Sequence, residues 1–191
     1  MIPEKMDLFD RYIDSNHPAA FRLFTHRLHY FMETALLNGY ETLAFLCIGT
    51  DRSTGDSLGP LVGYKIKDLG SRKVHVCGTL EDPVHALNLP ERTRGIKENL
   101  HKPFIIAIDA CLGSLEHVGY IMMDTGPLRP GAGVNKKIEP VGDMHINGIV
   151  NVYGFLDFFI LQNTRLCTVM KMADLISSGI RYVLWKIRNS L

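Results

Sequence analysis

Apolar residues recur at three- and four-residue steps through residues 7 to about 38: Leu8, Phe9, Tyr12 and Ile13, then Phe21, Phe24, Leu28, Phe31 and Ala35. That spacing lines one face of a helix. His17-Pro18 divides the pattern into a short helix and a longer one, because the residue before a proline is pushed out of the helical region. Asn38-Gly39 reads as the stop. The rhythm then changes to short apolar runs at 42–48, 73–77, 104–108 and 119–123, each bounded by Gly, Pro, Asp or Ser on at least one side. A weaker fifth run covers 137–141.

Helical spacing returns between the runs. Leu58, Leu61, Val62, Ile66 and Leu69 form one stripe, with Pro60 suited to a first turn and Gly70 to a C-terminal cap. Residues 83 to about 100 form a second helical pattern, interrupted at Pro90. From His145 onward the chain reads as mostly helical, over 150–162 and 165–189, with a break in the latter at Gly179. The runs at 42–48 and 104–108 are almost wholly apolar, as strands covered on both faces of a parallel sheet are. Strands alternating with helices predict a three-layer α/β/α sandwich around a mostly parallel sheet. At 191 residues this is one domain, with the first forty residues as a helical extension packed on it.

Composition narrows the function without naming it. A formal net charge of +1 gives no global field for nucleic acid or anionic lipid, and 46% apolar against 21% charged residues is ordinary for a globular chain. No window approaches ~20 uninterrupted apolar residues, and the first residues lack the pattern of a secretory signal. The expectation is a cytoplasmic protein without nucleic-acid or membrane partners. Cys47, Cys77, Cys111 and Cys167 have no CxxC spacing and read as buried, reduced thiols.

The chemistry concentrates where strands end. In an open α/β sheet the loops after the strands bind ligands; Asp51 and Asp56 follow the first run, Glu81 and Asp82 the second, Asp109 the third and Asp124 the fourth. Asp109 directly follows five apolar residues, where an ionised carboxylate needs a cation, a donor or a proton. It could equally cap the next turn, and Asp56 could cap the helix that begins near Pro60. If the first and third strands are neighbours, the two carboxyls approach each other and could share a proton or bind a metal, either of which can activate water. DTGPLRPGAGV holds three glycines and two prolines in eleven residues, open enough for backbone N–H groups to approach a substrate. Its spacing matches neither GxGxxG nor a P-loop. His145 would complete a three-ligand metal site with the two acids, although no HExxH-like spacing supports it.

Taken together and in order, CIGTDRSTGDSLGPLVG, GTLEDPVHALNL, AIDACLG, DTGPLRPGAGV and GIVNVYGFLDFFILQNTRL resemble the YyaC family of sporulation proteins of endospore-forming Firmicutes, across roughly residues 41 to 180. That family is similar to the germination protease of spores, which degrades small acid-soluble spore proteins, and more remotely to the hydrogenase maturation endopeptidases. The resemblance implies the hydrogenase-maturation-protease fold and a peptidase of spore or forespore proteins. It implies Asp56 in GDSLGP and Asp109 in AIDACLG as the catalytic pair, with small acid-soluble spore proteins as candidate substrates. Gly126, Gly131, Gly133 and Glu81 are the expected substrate-binding residues. No cofactor is expected under the paired-acid reading; the maturation enzymes suggest a divalent transition metal on Asp56, Asp109 and His145 as the alternative. A non-catalytic sporulation factor that binds a protein or peptide in the same groove is the rival of another class.

Overall fold

The computed structural model describes residues 11–130, 139–189 and 191. Its strands are β1 (Tyr12–Asp14), β2 (Thr42–Cys47), β3 (Val74–Cys77), β4 (Pro103–Gly113), β5 (Tyr120–Thr125) and β6 (Met144–Val152). Its helices are α1 (Ala20–Leu37), α2 (Leu58–Ile66), α3 (Leu89–Asn99), α4 (Asp157–Gln162) and α5 (Leu166–Ile187). One sheet holds the six strands in the order β1-β5-β6-β4-β2-β3. β3, β2, β4 and β6 run parallel, whereas β5 is antiparallel to both β6 and β1.

Strand alternation sorts the core into two layers. Leu43, Phe45 and Cys47 of β2, with Phe104, Ile106 and Ile108 of β4, pack with buried residues of α1, α2 and α5. Ala44, Leu46 and Ile48, with Ile105 and Ala107, pack on the opposite side with Leu89 and Ile96 of α3 and with Leu128 and Val141. Every residue of β2 is buried, as its unbroken apolar run predicts for a strand covered on both faces. The result is the expected α/β architecture, helices on both faces of a mixed, mostly parallel sheet.

Several elements differ from the sequence expectation. The short N-terminal helix is, over its described part, strand β1, which adds to β5 at the sheet edge; three residues are too few for a period of two to be told from a helical one. Residues 144–152 read as the approach to a helix, yet they form β6. Asn147, Gly148 and Asn151 disfavour strands locally, and pairing with β4 on one side and β5 on the other overrides that preference. The helix expected over 150–162 shrinks to α4. β4 runs five residues past Ile108, since β6 pairs with it as far as Gly113. Pro90 begins α3 rather than interrupting it. α5 is continuous through Gly179, whose missing side chain leaves room for Phe24: an added Cβ would lie 2.4 Å from that ring's Cδ1. The weaker fifth run falls partly outside the described residues, and Val141 makes a single bridge to Leu128.

Candidate active site

β2 has β3 on one side and β4 on the other, so the chain leaves β2 at the point where the strand order reverses. Loops diverge there and open a crevice at the C-terminal ends of the strands. β2 ends opposite Ile108 of β4. Asp109 is therefore the first β4 residue beyond β2, and its remaining strand neighbour is Asn147 of β6.

The loop after β2 folds back to bring Asp56 to the same place. Gly49 has a φ of 135°, a conformation that side chains rarely allow, and a Cβ on it would lie 2.0 Å from the carbonyl oxygen of Asp56. Glycine lets the returning chain close: Thr50 N–H donates to Asp56 O at 3.0 Å, and Asp56 N–H donates to Ser53 O at 3.0 Å. Asp56 lies in a 3-10 turn, Gly55–Ser57, that leads into α2. Its side chain does not cap that helix, whose N-cap is Ser57 without a side-chain hydrogen bond.

The two carboxyls line one cavity of about 540 Å³, within the usual size range of small-ligand sites. Asp109 is only 9% exposed. Burial raises its pKa well above the ordinary value, the nearby Asp56 raises it further, and the Ala110 N–H, donating to Oδ1 at 2.8 Å, offsets part of this. Burial also pushes Asp56 up to about 6, against a lowering backbone hydrogen bond from Thr50. Two acids with raised, unequal pKa values can divide the proton-donor and proton-acceptor roles at neutral pH.

Other residues at the cavity carry chemistry the sequence reading did not single out. Ser53 Oγ, Asn147 Oδ1 and Asp157 Oδ1 all border it, and each is buried without a hydrogen-bond partner among the described residues. Arg52 and Arg129 stand exposed at its rim, and His85 lines its wall. Cys111 also lines it, with its thiol pushed up to about 12 by burial and by Asp109, so it is not a thiolate at neutral pH. Asn147 and Asp157 were hidden because both lie where the sequence pattern read as helix. The two-residue step from His145 to Asn147, with apolar Met144 and Ile146 alternating with them, was the available signal for a strand there.

The remaining expected residues lie apart from the pair. Glu81 is exposed and bound to Lys67 at 2.7 Å, and it does not line the cavity. Asp82 pairs with Arg92, and Asp124 pairs with Arg11 at 3.1 Å. Gly126 turns the chain with a φ of 90° and accepts a hydrogen bond from His145 Nδ1 at 3.0 Å; among the described residues of its loop, Leu128 and Arg129 reach the cavity. Gly131 and Gly133 lie outside the described residues.

His145 pairs with Ala107, two residues before Asp109 along β4, and is absent from the cavity lining. The expected triad with Asp56 and Asp109 is thus not assembled; among the described residues no three His, Cys, Asp or Glu side chains gather as a metal site. The cysteine expectation also needs correction: all four are free, but Cys167 is exposed and only Cys47 is fully buried. Among the described residues no helix is long and apolar enough to cross a membrane.

Comparison with known proteins agrees with this architecture. The fold matches the crystal structure of a [NiFe] hydrogenase maturation protease, HycI from Thermococcus kodakarensis KOD1, with a TM-score of 0.55 over 81% of this chain and 99% of that one. The sequences are 17% identical, so the likeness is one of fold. The Bacillus subtilis (strain 168) protein named "Uncharacterized protein YyaC" is 57% identical over 141 residues, 73% of this chain and 68% of that protein. Residues 13–179 match the family model described as "Protein of unknown function (DUF1256)". With that match spanning nearly the whole sheet and its helices, the chain belongs to the DUF1256 family and is a relative of YyaC.

Proposed function

We propose that this protein is a peptidase that hydrolyses spore or forespore proteins with the Asp56 and Asp109 pair, working in the cytoplasm of the forespore. The observation that carries the proposal is two carboxyls with raised pKa values at one cavity, placed at the switch point of the sheet. The fold of a maturation protease supports the same class of chemistry.

In the proposed reaction Asp109, the more buried acid, keeps its proton and Asp56 is ionised. Asp56 takes a proton from a water molecule as the water oxygen attacks the scissile carbonyl carbon. Asp109 gives its proton to the carbonyl oxygen, so the tetrahedral intermediate carries two hydroxyls and no net charge. As the C–N bond breaks, the proton on Asp56 passes to the leaving amine. Asp109 recovers a proton from a hydroxyl, and the pair returns to its starting state. The side-chain amide of Asn147, in register with Asp109, is placed to hydrogen-bond the intermediate. The loop that contributes Leu128 and Arg129 to the cavity wall would hold the peptide.

The test is cleavage of casein and of small acid-soluble spore proteins by purified protein, read as fragments by mass spectrometry. Asp109→Asn keeps size and hydrogen bonding but removes the titratable proton, and turnover should fall by ~10²–10⁴-fold. Unchanged turnover in the folded variant removes Asp109 from the reaction. No cleavage of any substrate, together with binding that survives, supports a non-catalytic peptide-binding factor instead.

A further inference from the structure

α4 is docked directly on the turn that carries Asp56. Gly55 sits under it so closely that an added Cβ would lie 2.9 Å from Leu161 Cα and 2.8 Å from Thr164 Oγ1. Asp157 and Phe158 lie four and three residues before Leu161, so each neighbours Leu161 on the helix surface. All three line the cavity that holds Asp56 and Asp109. Asp157 Oδ1 is buried there and accepts no hydrogen bond from the described residues. Nor does the side chain cap its helix, whose N-cap is Leu156 with no side-chain hydrogen bond.

A buried carboxylate oxygen without a donor is costly, and the cost is removed when a ligand brings one. Ser53, 7% exposed with its Oγ also unpartnered, borders the same cavity and marks a second unfilled polar position. The exposed Phe158 ring and Leu161 flank the acid with apolar surface. A half-buried acid beside an exposed phenyl ring and a leucine fits a long aliphatic stem with a cationic head, the shape of a lysine or arginine side chain. The aromatic face adds a favourable contact for a cation passing over it. Arg52 and Arg129 are cationic and suit an acidic group, but both are exposed and open to solvent, so neither demands a ligand as the buried oxygen does.

We infer that Asp157, with Phe158 and Leu161, forms a specificity subsite that takes a lysine or arginine side chain of the bound peptide next to the Asp56 and Asp109 pair. The inference rests on the peptide-site reading above, yet its test needs no cleavage. The probes are four random decapeptide pools with one central position fixed as lysine, arginine, norleucine or glutamate. Their binding to the Asp109→Asn protein is measured by calorimetry. Lysine and arginine pools should bind about ten-fold or more tightly than the norleucine pool, the range for one charge-assisted hydrogen bond. Asp157→Asn in the same background should bring the cationic pools down to the norleucine level. Equal affinity for lysine and norleucine in the unaltered subsite overturns the inference without recourse to any variant. So does discrimination that survives Asp157→Asn, and a preference for glutamate assigns recognition to Arg52 and Arg129. Discrimination in a protein that cleaves nothing defeats the peptidase reading alone, whereas cleavage without discrimination defeats the subsite alone.

Discussion

Burial raises the pKa of both Asp56 and Asp109, and a second cause adds to it at Asp109. Both lose water, but Asp109 is the more deeply buried and also faces the charge of its neighbour. The order of proton loss follows: Asp56 ionises first, through about pH 6, and Asp109 later. A hydrolysis rate that needs Asp56 ionised and Asp109 protonated should therefore rise as pH increases through about 6, then fall once Asp109 gives up its proton. A kcat/KM profile on any cleaved substrate reads this directly. Absence of the rising limb would assign the base role elsewhere. His145 illustrates the opposite case, since its ring is committed to the Gly126 carbonyl and is absent from the wall that the two acids share.

Among elements, the contact of α1 with α5 shows how one missing side chain fixes a packing. Gly179 lies mid-helix, where replacing glycine with alanine normally gains ~1 kcal/mol of helix propensity. Here the new Cβ would meet Cδ1 and Cε1 of the fully buried Phe24 ring at 2.4 and 2.5 Å. Overpacking of that kind costs about 1–3 kcal/mol, so the collision outweighs the propensity gain. Gly179→Ala should lower the urea midpoint at unchanged m-value. A higher midpoint would mean that α1 shifts away from α5 at little cost. The same logic places the site, because Gly55 lets α4 lie against the Asp56 turn and brings Asp157 and Phe158 to the cavity.

At the scale of the molecule, the buried acids couple the whole fold to pH. The folded state holds protons on Asp56 and Asp109 that the unfolded chain, with ordinary carboxyl groups near ~3.9, has already released. Stability from this source is fully present below about pH 4 and is lost as pH rises through the folded pKa values. For Asp56, a rise from 3.8 to about 6 corresponds to at most about 3 kcal/mol. Asp56→Asn should consequently be more stable than the parent at pH 7.5, by up to about that amount, with the advantage vanishing towards pH 4. Denaturant titrations at several pH values check the sign. A parent that becomes more stable between about pH 5 and pH 7 relative to the variant would show that Asp56 is stabilised as a carboxylate.

The amino-acid sequence alone determined the central strands and the stripe of α2. Those elements are specified by continuous apolar runs and helical periodicity, and burial on both faces or on one follows from them directly. It also placed Asp56 in the loop after one apolar run and Asp109 directly after another, while the pairing of β2 with β4 brought the two together. Tertiary structure decided the rest. β1 and β6 exist because neighbours complete their hydrogen bonds, against the preference of Asn147, Gly148 and Asn151 in the second case. The register of β6 against β4 then put Asn147, not His145, beside Asp109. A shift of a strand by two residues leaves every side chain on the same face but moves it by ~7 Å along the sheet, a distance that sequence patterning does not encode. The docking of α4, and with it the position of Asp157, was likewise set by shape across residues 106 positions apart in the chain, from Gly55 to Leu161.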